Sequence, residues 1–460
     1  MASGLPGPPF LHIGSRSYVM SRSCVSTRIL CVLCLLTSLF LLPSQRAFAE
    51  GFAIMENSAR GMGLAGGLIA RGGDASTLAY NPAAMTLLEG TQMQANLAVS
   101  QFYWGVDTRD KAGNDTGNFH SAHQTWPIPA FYITHQINDN VWFGLASYTR
   151  FGLGVKYPNE WPGGYNLQSV QLITSSLNPN IAFKLNDHLS LALGVEVMGA
   201  SMQMRKNLNQ NPTLAYASSA YHLGDPGDVS INGHGVSFGG NVALHARLND
   251  QWSLGLTYRA PMSLKVSGKT RYDNQLGKMP LGMNPQIAMI QNSRLRGTLH
   301  LPDSIGFGVA YKPLENLSFE ADAVYTLWSR FRDFNMYMKD PVNTWQNTDR
   351  HWENSWTLGI SAEYKPVDWM ALRLGFMYET SPMNLGNADY MVPSNGRNYY
   401  TAGVGFFYKN WTFDIAYMYI HNHVLDYTLA AATNPGSGVV AGRTTHPHAH
   451  NFGIGIGYKF

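Results

Sequence analysis

The sequence predicts an all-β fold: a 14-stranded antiparallel transmembrane β-barrel with an N-terminal hatch, or plug, in its lumen. Three observations predict it. Short stretches alternate strictly between apolar and small or polar residues, tight polar turns alternate with long loops, and an export signal precedes both.

The export signal occupies residues 1–49. Arg16, Arg22 and Arg28 precede an apolar run from Ile29 to Leu42, and Ala47-Phe48-Ala49 places small residues at −3 and −1 of a cleavage site. This is the pattern of a secretory signal peptide, expected to be cleaved after Ala49. Translation from Met20 would leave a more ordinary signal, and Leu33 before Cys34 disfavours a lipoprotein site. All three cysteines, Cys24, Cys31 and Cys34, lie in this segment. A mature chain then holds no disulfide, cysteine nucleophile or thiolate metal site. Of 32 Lys and Arg, the four arginines of the segment leave 28 against 29 acids, a net charge of −1. The basic balance belongs to the signal, so no nucleic-acid partner is expected.

Residues 50–90 do not alternate. They are rich in Gly and Ala and too few to form a core of their own, so their expected place is inside the barrel. Asn81 reads as an N-cap, Pro82 as the first position of a short helix, and Gly90 as the residue past its end. Gly61, Gly63 and Gly66 spell G-x-G-x-x-G, a dinucleotide fingerprint. That motif requires a strand before it and a βαβ unit around it, and neither is present. The glycines are read as sharp turns and close packing in a plug.

Residues 91–460 alternate. In LSLALGVEV, residues Leu189, Leu191, Leu193, Val195 and Val197 share one face; Trp252, Leu254, Leu256 and Tyr258 repeat the pattern, as do Phe452, Ile454, Ile456, Tyr458 and Phe460. Apolar faces ending in Trp or Tyr suit strands that cross a bilayer interface; a secreted β-sandwich has no such need on every strand. Six connections are tight, at 137–140, 185–188, 248–251, 312–316, 365–368 and 408–410. Seven gaps are long, at about 105–125, 153–166, 206–230, 267–296, 332–350, 381–397 and 425–446. Thirteen connections join fourteen strands, an even number that brings both ends of a closed barrel to one side.

By parity, Glu196, Arg259, Glu320, Asp322, Arg330, Glu363, Arg373 and Asp414 point inward, and Glu363 with Arg373 reads as a cross-strand pair. Arg330, near a loop, and Arg205, where the fifth strand meets its loop, are candidates to meet a ligand carboxylate. His446, His448 and His450 fall on the outward face of the last strand and read as interfacial residues rather than metal ligands. No cofactor, metal or catalytic residue is expected. An outer-membrane lipid-modifying enzyme and a general porin are the alternatives.

The stretch GFAIMENSARGMGLAGGLIARGGDASTLAYNPAAM, with PDSIGFGVAY from Pro302, LWSRF from Leu327, WTLGISAEYK from Trp356 and LRLGFMYETSP from Leu372, resembles the long-chain fatty acid and aromatic-hydrocarbon transporter family of Gram-negative outer membranes. The resemblance spans the mature chain. It implies passive uptake of hydrophobic molecules, fatty acids or hydrocarbons, by a monomer that meets outer-membrane lipid and the outer-membrane assembly machinery. It implies capture by the loops 206–230 and 267–296, where Leu214, Tyr216, Tyr221 and Leu223, and Met279, Leu281, Met283, Ile287, Met289 and Ile290, offer apolar surface. It implies a tighter site above the hatch. It also implies a kink in the third strand that opens the wall beside Asn81, Pro82 and Ala83, with Gly144 and Gly152 as candidate break points.

Overall fold

The computed structural model describes residues 51–110, 112–208, 227–273, 291–340 and 342–460. Residues 1–49, where the sequence leads one to expect an export signal, lie outside these residues. So do all the named loop residues from Leu214 to Leu223 and from Met279 to Ile290.

The strand segments form one closed antiparallel sheet of fourteen staves. They are β1 (Thr91–Arg109), β2 (Gln124–Asn138), β3 in two halves (Val141–Tyr148 and Gly152–Lys156), β4 (Ser169–Lys184), β5 (Leu189–Asn207) and β6 (Asp228–Arg247). Next come β7 (Trp252–Arg259, then Met262–Asp273), β8 (Ser293–Leu301, then Ser304–Leu314) and β9 (Leu317–Thr326). The last are β10 (Ser355–Val367), β11 (Met370–Glu379), β12 (Arg397–Tyr408), β13 (Trp411–Asn422) and β14 (Gly442–Lys459). β14 closes on β1 with Ala95 opposite Ile456 and Val99 opposite Phe452. Closure leaves no bare sheet edge, which a strand in lipid cannot tolerate.

All six tight turns fall where the sequence places them. Several strands outrun expectation, among them β1, which reaches Arg109, β7, which reaches Asp273, β8, which begins at Ser293, and β14, which begins at Gly442. There the outward residues turn polar, which ends the lipid-facing pattern but not the backbone ladder.

The alternation sorts the two faces. Leu193, Val195 and Val197 are exposed on β5 while Ala192 and Glu196 are buried. Exposed Phe452, Ile454 and Ile456 likewise alternate with inward glycines on β14. Aromatic pairs mark the short-turn rim, with Trp252 stacked on Tyr311 at 4.4 Å and Trp411 against Tyr458 at 4.6 Å. The outside of this barrel is oily and its inside polar, the arrangement lipid demands.

Residues 51–90 form two short helices, α1 (Ala59–Gly63) and α2 (Thr77–Tyr80), and a 3-10 turn, Pro82–Leu87, where the sequence predicts a short helix. Ser58 caps α1 through Gly61 N, and Asn81 caps the 3-10 turn through Ala83 N, each at 3.0 Å. The fingerprint glycines have steric reasons. A Cβ on Gly61 would meet the Tyr80 hydroxyl at 2.1 Å, one on Gly63 would lie 3.1 Å from Gly403 Cα, and Gly66 has φ +85°. Gly61 and Gly63 permit close approach, and Gly66 permits a left-handed turn.

Candidate functional site

Residues 51–90 are tied to the buried faces of strands all round the barrel. Ala59 N donates to Asn96 on β1 at 3.1 Å, Asn81 Nδ2 to Leu244 O on β6 at 2.9 Å, and Thr401 on β12 to Gly63 O at 3.0 Å. Glu320 on β9 accepts Ala70 N at 2.6 Å and Arg71 N at 2.9 Å. The densest knot is Arg60, which forks onto Glu363 with both bonds at 3.0 Å and reaches Asp74 at 3.2 Å. Arg373 then bridges Glu363 at 2.7 Å and Asp414 at 2.6 Å. Buried charges persist only when paired in this way. The expected Glu363–Arg373 pair is present, but as one link of a five-residue chain, Asp74–Arg60–Glu363–Arg373–Asp414, that holds the N-terminal segment.

Seven of the eight inward charges predicted from parity do point inward. Arg330 does not. It lies in a 3-10 turn after β9, half exposed, and is ion-paired to Asp303 at 2.5 Å. Nor does Arg205 face the lumen, where a ligand carboxylate would need it. Met202 and Met204 take the inward side of β5, so Arg205 points out, paired to Asp228. Neither is a free lumenal cation. The parity of Arg330 fails because β9 stops at Thr326, and periodicity carries no information past a strand end.

The third strand breaks at Thr149–Phe151, between its two halves. Gly144 is not the break. It sits in a regular ladder opposite Thr134 and Asn180, and it is small because Leu78 and Met85 press on it; a Cβ there would meet Leu78 at 2.5 Å. Gly144→Leu is therefore expected to cost about 1–3 kcal/mol by overpacking and to raise ion leak in planar bilayers, because the N-terminal segment must shift. Gly152 opens the second half of the strand.

Around the break the wall of the barrel is incomplete. β2 pairs with β3 only from Phe131–Ser147 to Asn138–Val141, and Gly152–Lys156 pairs with β4. A single bond, Ala122 N to Lys156 O at 2.8 Å, joins the two sides above the gap. Pro127 and Pro129 lie on the β2 side. They have no N–H, so this stretch cannot present a full ladder to both neighbours. A cavity of about 470 Å³ occupies the gap. Its lining combines inward Trp104, Ile128 and Tyr399 with outward Phe131 and Ile173 and with Gly51–Glu56 of the N-terminal segment. The volume and largely apolar lining suit a small hydrophobic ligand.

The N-terminal segment borders this gap as an extra strand. Ala53 bridges Phe151, flanked by Ile54 N to Arg150 O and Gly152 N to Phe52 O, both 3.0 Å. Above it Phe52 packs edge-on to Trp328 at 4.9 Å and Phe331 at 5.6 Å, closing the loop side with buried aromatics. A second aromatic group lies in the loops. Tyr157 stacks on Trp161 at 4.6 Å and donates to Tyr390 O at 3.2 Å; Tyr390 donates to Val440 O at 3.0 Å. Burial pushes both phenols up, so each remains a donor at neutral pH. Asn81, Pro82 and Ala83 do not line the gap. Their turn packs on β3, β4, β5 and β6, with Asn81 bonded to Ile69 O and Leu244 O.

Sequence reasoning passed over three features. Arg150, buried, pairs with Glu196 at 3.3 Å and donates to Pro302 O at 3.2 Å, holding the broken strand. Arg397 donates to Gly51 O at 3.0 Å and pairs with Glu379 at 3.6 Å, while Glu56 accepts from Asn451 at 2.7 Å; Arg397 and Glu56 both line the cavity. Parity with Tyr148 would have placed Arg150 inside. The third feature is a G-x-S-x-G string, Gly235–Gly239. It lies within β6, in register with Val197, Met198 and Gly199. A nucleophile elbow is a strand-to-helix turn, so the string is not one. His448 and His450 face outward as expected; His448 stacks on Tyr103 at 5.1 Å and His450 bonds the Tyr417 hydroxyl at 2.7 Å.

Residues 40–460 match the model of the family described as Outer membrane protein transport protein (OMPP1/FadL/TodX). Outer membrane protein P1 of Haemophilus influenzae is 23% identical over 93% of this chain and 98% of its own length. The long-chain fatty acid transport protein of Salmonella typhi is 23% identical over 82% and 89%. Among solved structures, a Pseudomonas aeruginosa FadL homologue matches with TM-score 0.79 at 22% identity, covering 89% of this chain and 100% of that one. The Pseudomonas putida toluene transporter TodX matches with TM-score 0.67 at 17% identity, over 88% and 99%.

Proposed function

This chain belongs to the OMPP1/FadL/TodX family of outer-membrane transport proteins, and from that premise we propose that it carries hydrophobic molecules passively from the cell surface into the outer membrane through the gap between β2 and β3. The observation that carries the reading is the cavity at the break in β3, whose lining runs from lumen-facing to lipid-facing side chains. A greasy solute entering there need never cross water. Residues 51–90 act as the hatch, and separation of Ala53 from Phe151 frees the path. The loops 206–230 and 267–296 capture the solute.

The names of the relatives support two cargo classes, long-chain fatty acids and monoaromatic hydrocarbons. The cavity's own cation, Arg397, is already engaged by Glu379 and Gly51. That favours an uncharged hydrocarbon, or an acid whose head group stays at the cavity mouth.

Uptake of labelled palmitate and labelled toluene by a deletion strain, with and without the gene restored, tests the proposal. Restored uptake of one or both is expected; equal uptake in all strains rejects it. Gly152→Trp, which fills the cavity beside Ile54, is expected to reduce that uptake severalfold at unchanged barrel abundance.

A further inference from the structure

On the loop side of β7 and β8 the outward face is strongly basic. Inward Leu264, Val266, Leu295 and Leu299 are buried, and the residues between them point out of the barrel. These include Lys265, Lys269 and Arg271 on β7 and Arg294 and Arg296 on β8, all exposed. Lys269 lies directly opposite Arg294, and Ser267 opposite Arg296. Like charges facing one another across a ladder repel. None of the five forms an ion pair among the described residues; the nearby Arg205 is the one neutralised, by Asp228. Arg296 lies over the Tyr337 ring at 5.1 Å, which steadies it without removing its charge. From Met262 to Leu301 the sequence holds six Lys and Arg and one acid.

Height on the barrel fixes what this face meets. Below it, on the same two strands, Leu256, Tyr258, Ile305 and Phe307 are exposed and apolar. A lipid-facing band about 25 Å tall takes roughly ten tilted residues. Counted from the Trp252–Tyr311 rim, that band ends near Ser263, so the charges sit just beyond the hydrocarbon. They face away from the lumen and cannot touch a solute inside it.

We propose that this face binds the phosphorylated head group of an outer-leaflet glycolipid, with Lys269, Arg294 and Arg296 gripping phosphate. Guanidinium groups match phosphate with paired hydrogen bonds, and clustered cations at a membrane surface hold anionic lipid. An anion there also relieves the repulsion between Lys269 and Arg294. The site is separate from the transport path and does not depend on the proposed cargo.

The test uses the purified full chain in nanodiscs, titrated with bis-phosphorylated lipid A and with the same lipid dephosphorylated. The triple variant Lys269→Gln, Arg294→Gln, Arg296→Gln is expected to bind bis-phosphorylated lipid A about ten-fold or more weakly, and the native chain to bind the dephosphorylated lipid equally poorly. A control variant, Lys312→Gln with Lys409→Gln at the opposite rim, is expected to bind as the native chain does. Heat-modifiable gel mobility checks that each barrel is folded. Equal binding by the native and triple-variant proteins overturns the proposal. So does equal binding of the two lipids, or loss of palmitate capture with lipid A binding unchanged, which assigns the patch to cargo.

Discussion

A disulfide between Ala53→Cys and Phe151→Cys is expected to abolish uptake, lowering it at least about ten-fold, as for other gating segments held shut. Reductant should restore uptake to the level of the two single variants. The geometry is favourable. The bonds Ile54 N to Arg150 O and Gly152 N to Phe52 O flank the Ala53–Phe151 bridge, which makes it a non-hydrogen-bonded pair. Such pairs bring Cα atoms to about 4.5 Å, within the span of a disulfide. The only native cysteines are at positions 24, 31 and 34, so the bridge has no competitor in the barrel. Phe151 also packs against Phe52 and Trp328, so its loss weakens that aromatic group in both redox states. The comparison of oxidised with reduced protein cancels this effect. If the oxidised variant transports as fast as the reduced one, the N-terminal segment need not leave β3, and the hatch mechanism fails.

Replacing Arg373 by Met is expected to destabilise the barrel by about 3–5 kcal/mol, the usual loss when one partner of a buried ion pair is removed. Arg373 is the link between Glu363 and Asp414. Without it, Glu363 keeps Arg60 while Asp414 loses the only ion-pair partner it has among the described residues. Denaturant unfolding in lipid vesicles measures the change. Adding Asp414→Asn should recover part of the loss, since it removes the stranded charge. A change under 1 kcal/mol for Arg373→Met would mean that water reaches this chain of charges and screens it.

These two results bear on what could be read before any coordinates. The staves were legible because lipid imposes a simple rule, apolar outward and polar inward, and a strand expresses that rule with period 2. Leu193, Val195 and Val197 announce one face, Ala192 and Glu196 the other. The tight turns were legible because they are short and polar. Parity even delivered Glu320, Glu363, Arg373 and Asp414 to the interior, and Glu363 to Arg373 across one ladder. It could not tell that Arg60, some 300 positions earlier, completes the chain, because a segment without period carries no directional signal.

The break in β3 was half legible. Glycine was a reasonable guess, yet Gly144 is small to admit Leu78 and Met85, a contact between residues distant in sequence. The better local signal was Pro127 and Pro129 on the neighbouring strand, since a missing N–H is a property of the residue itself. Arg205 and Arg330 show the reverse limit. Each has its charge cancelled by an aspartate that the fold brings near, Asp228 and Asp303, and neither faces the lumen.

By itself, then, the sequence determined the barrel, its fourteen staves, its two rims and which way most side chains point, because those follow from residue-by-residue transfer between water, lipid and backbone hydrogen bonds. Only the tertiary structure decided where the wall is open, what presses on it from within and which charges are already paired. Those are contacts between chemically permissive surfaces, and proximity, not composition, selects among them.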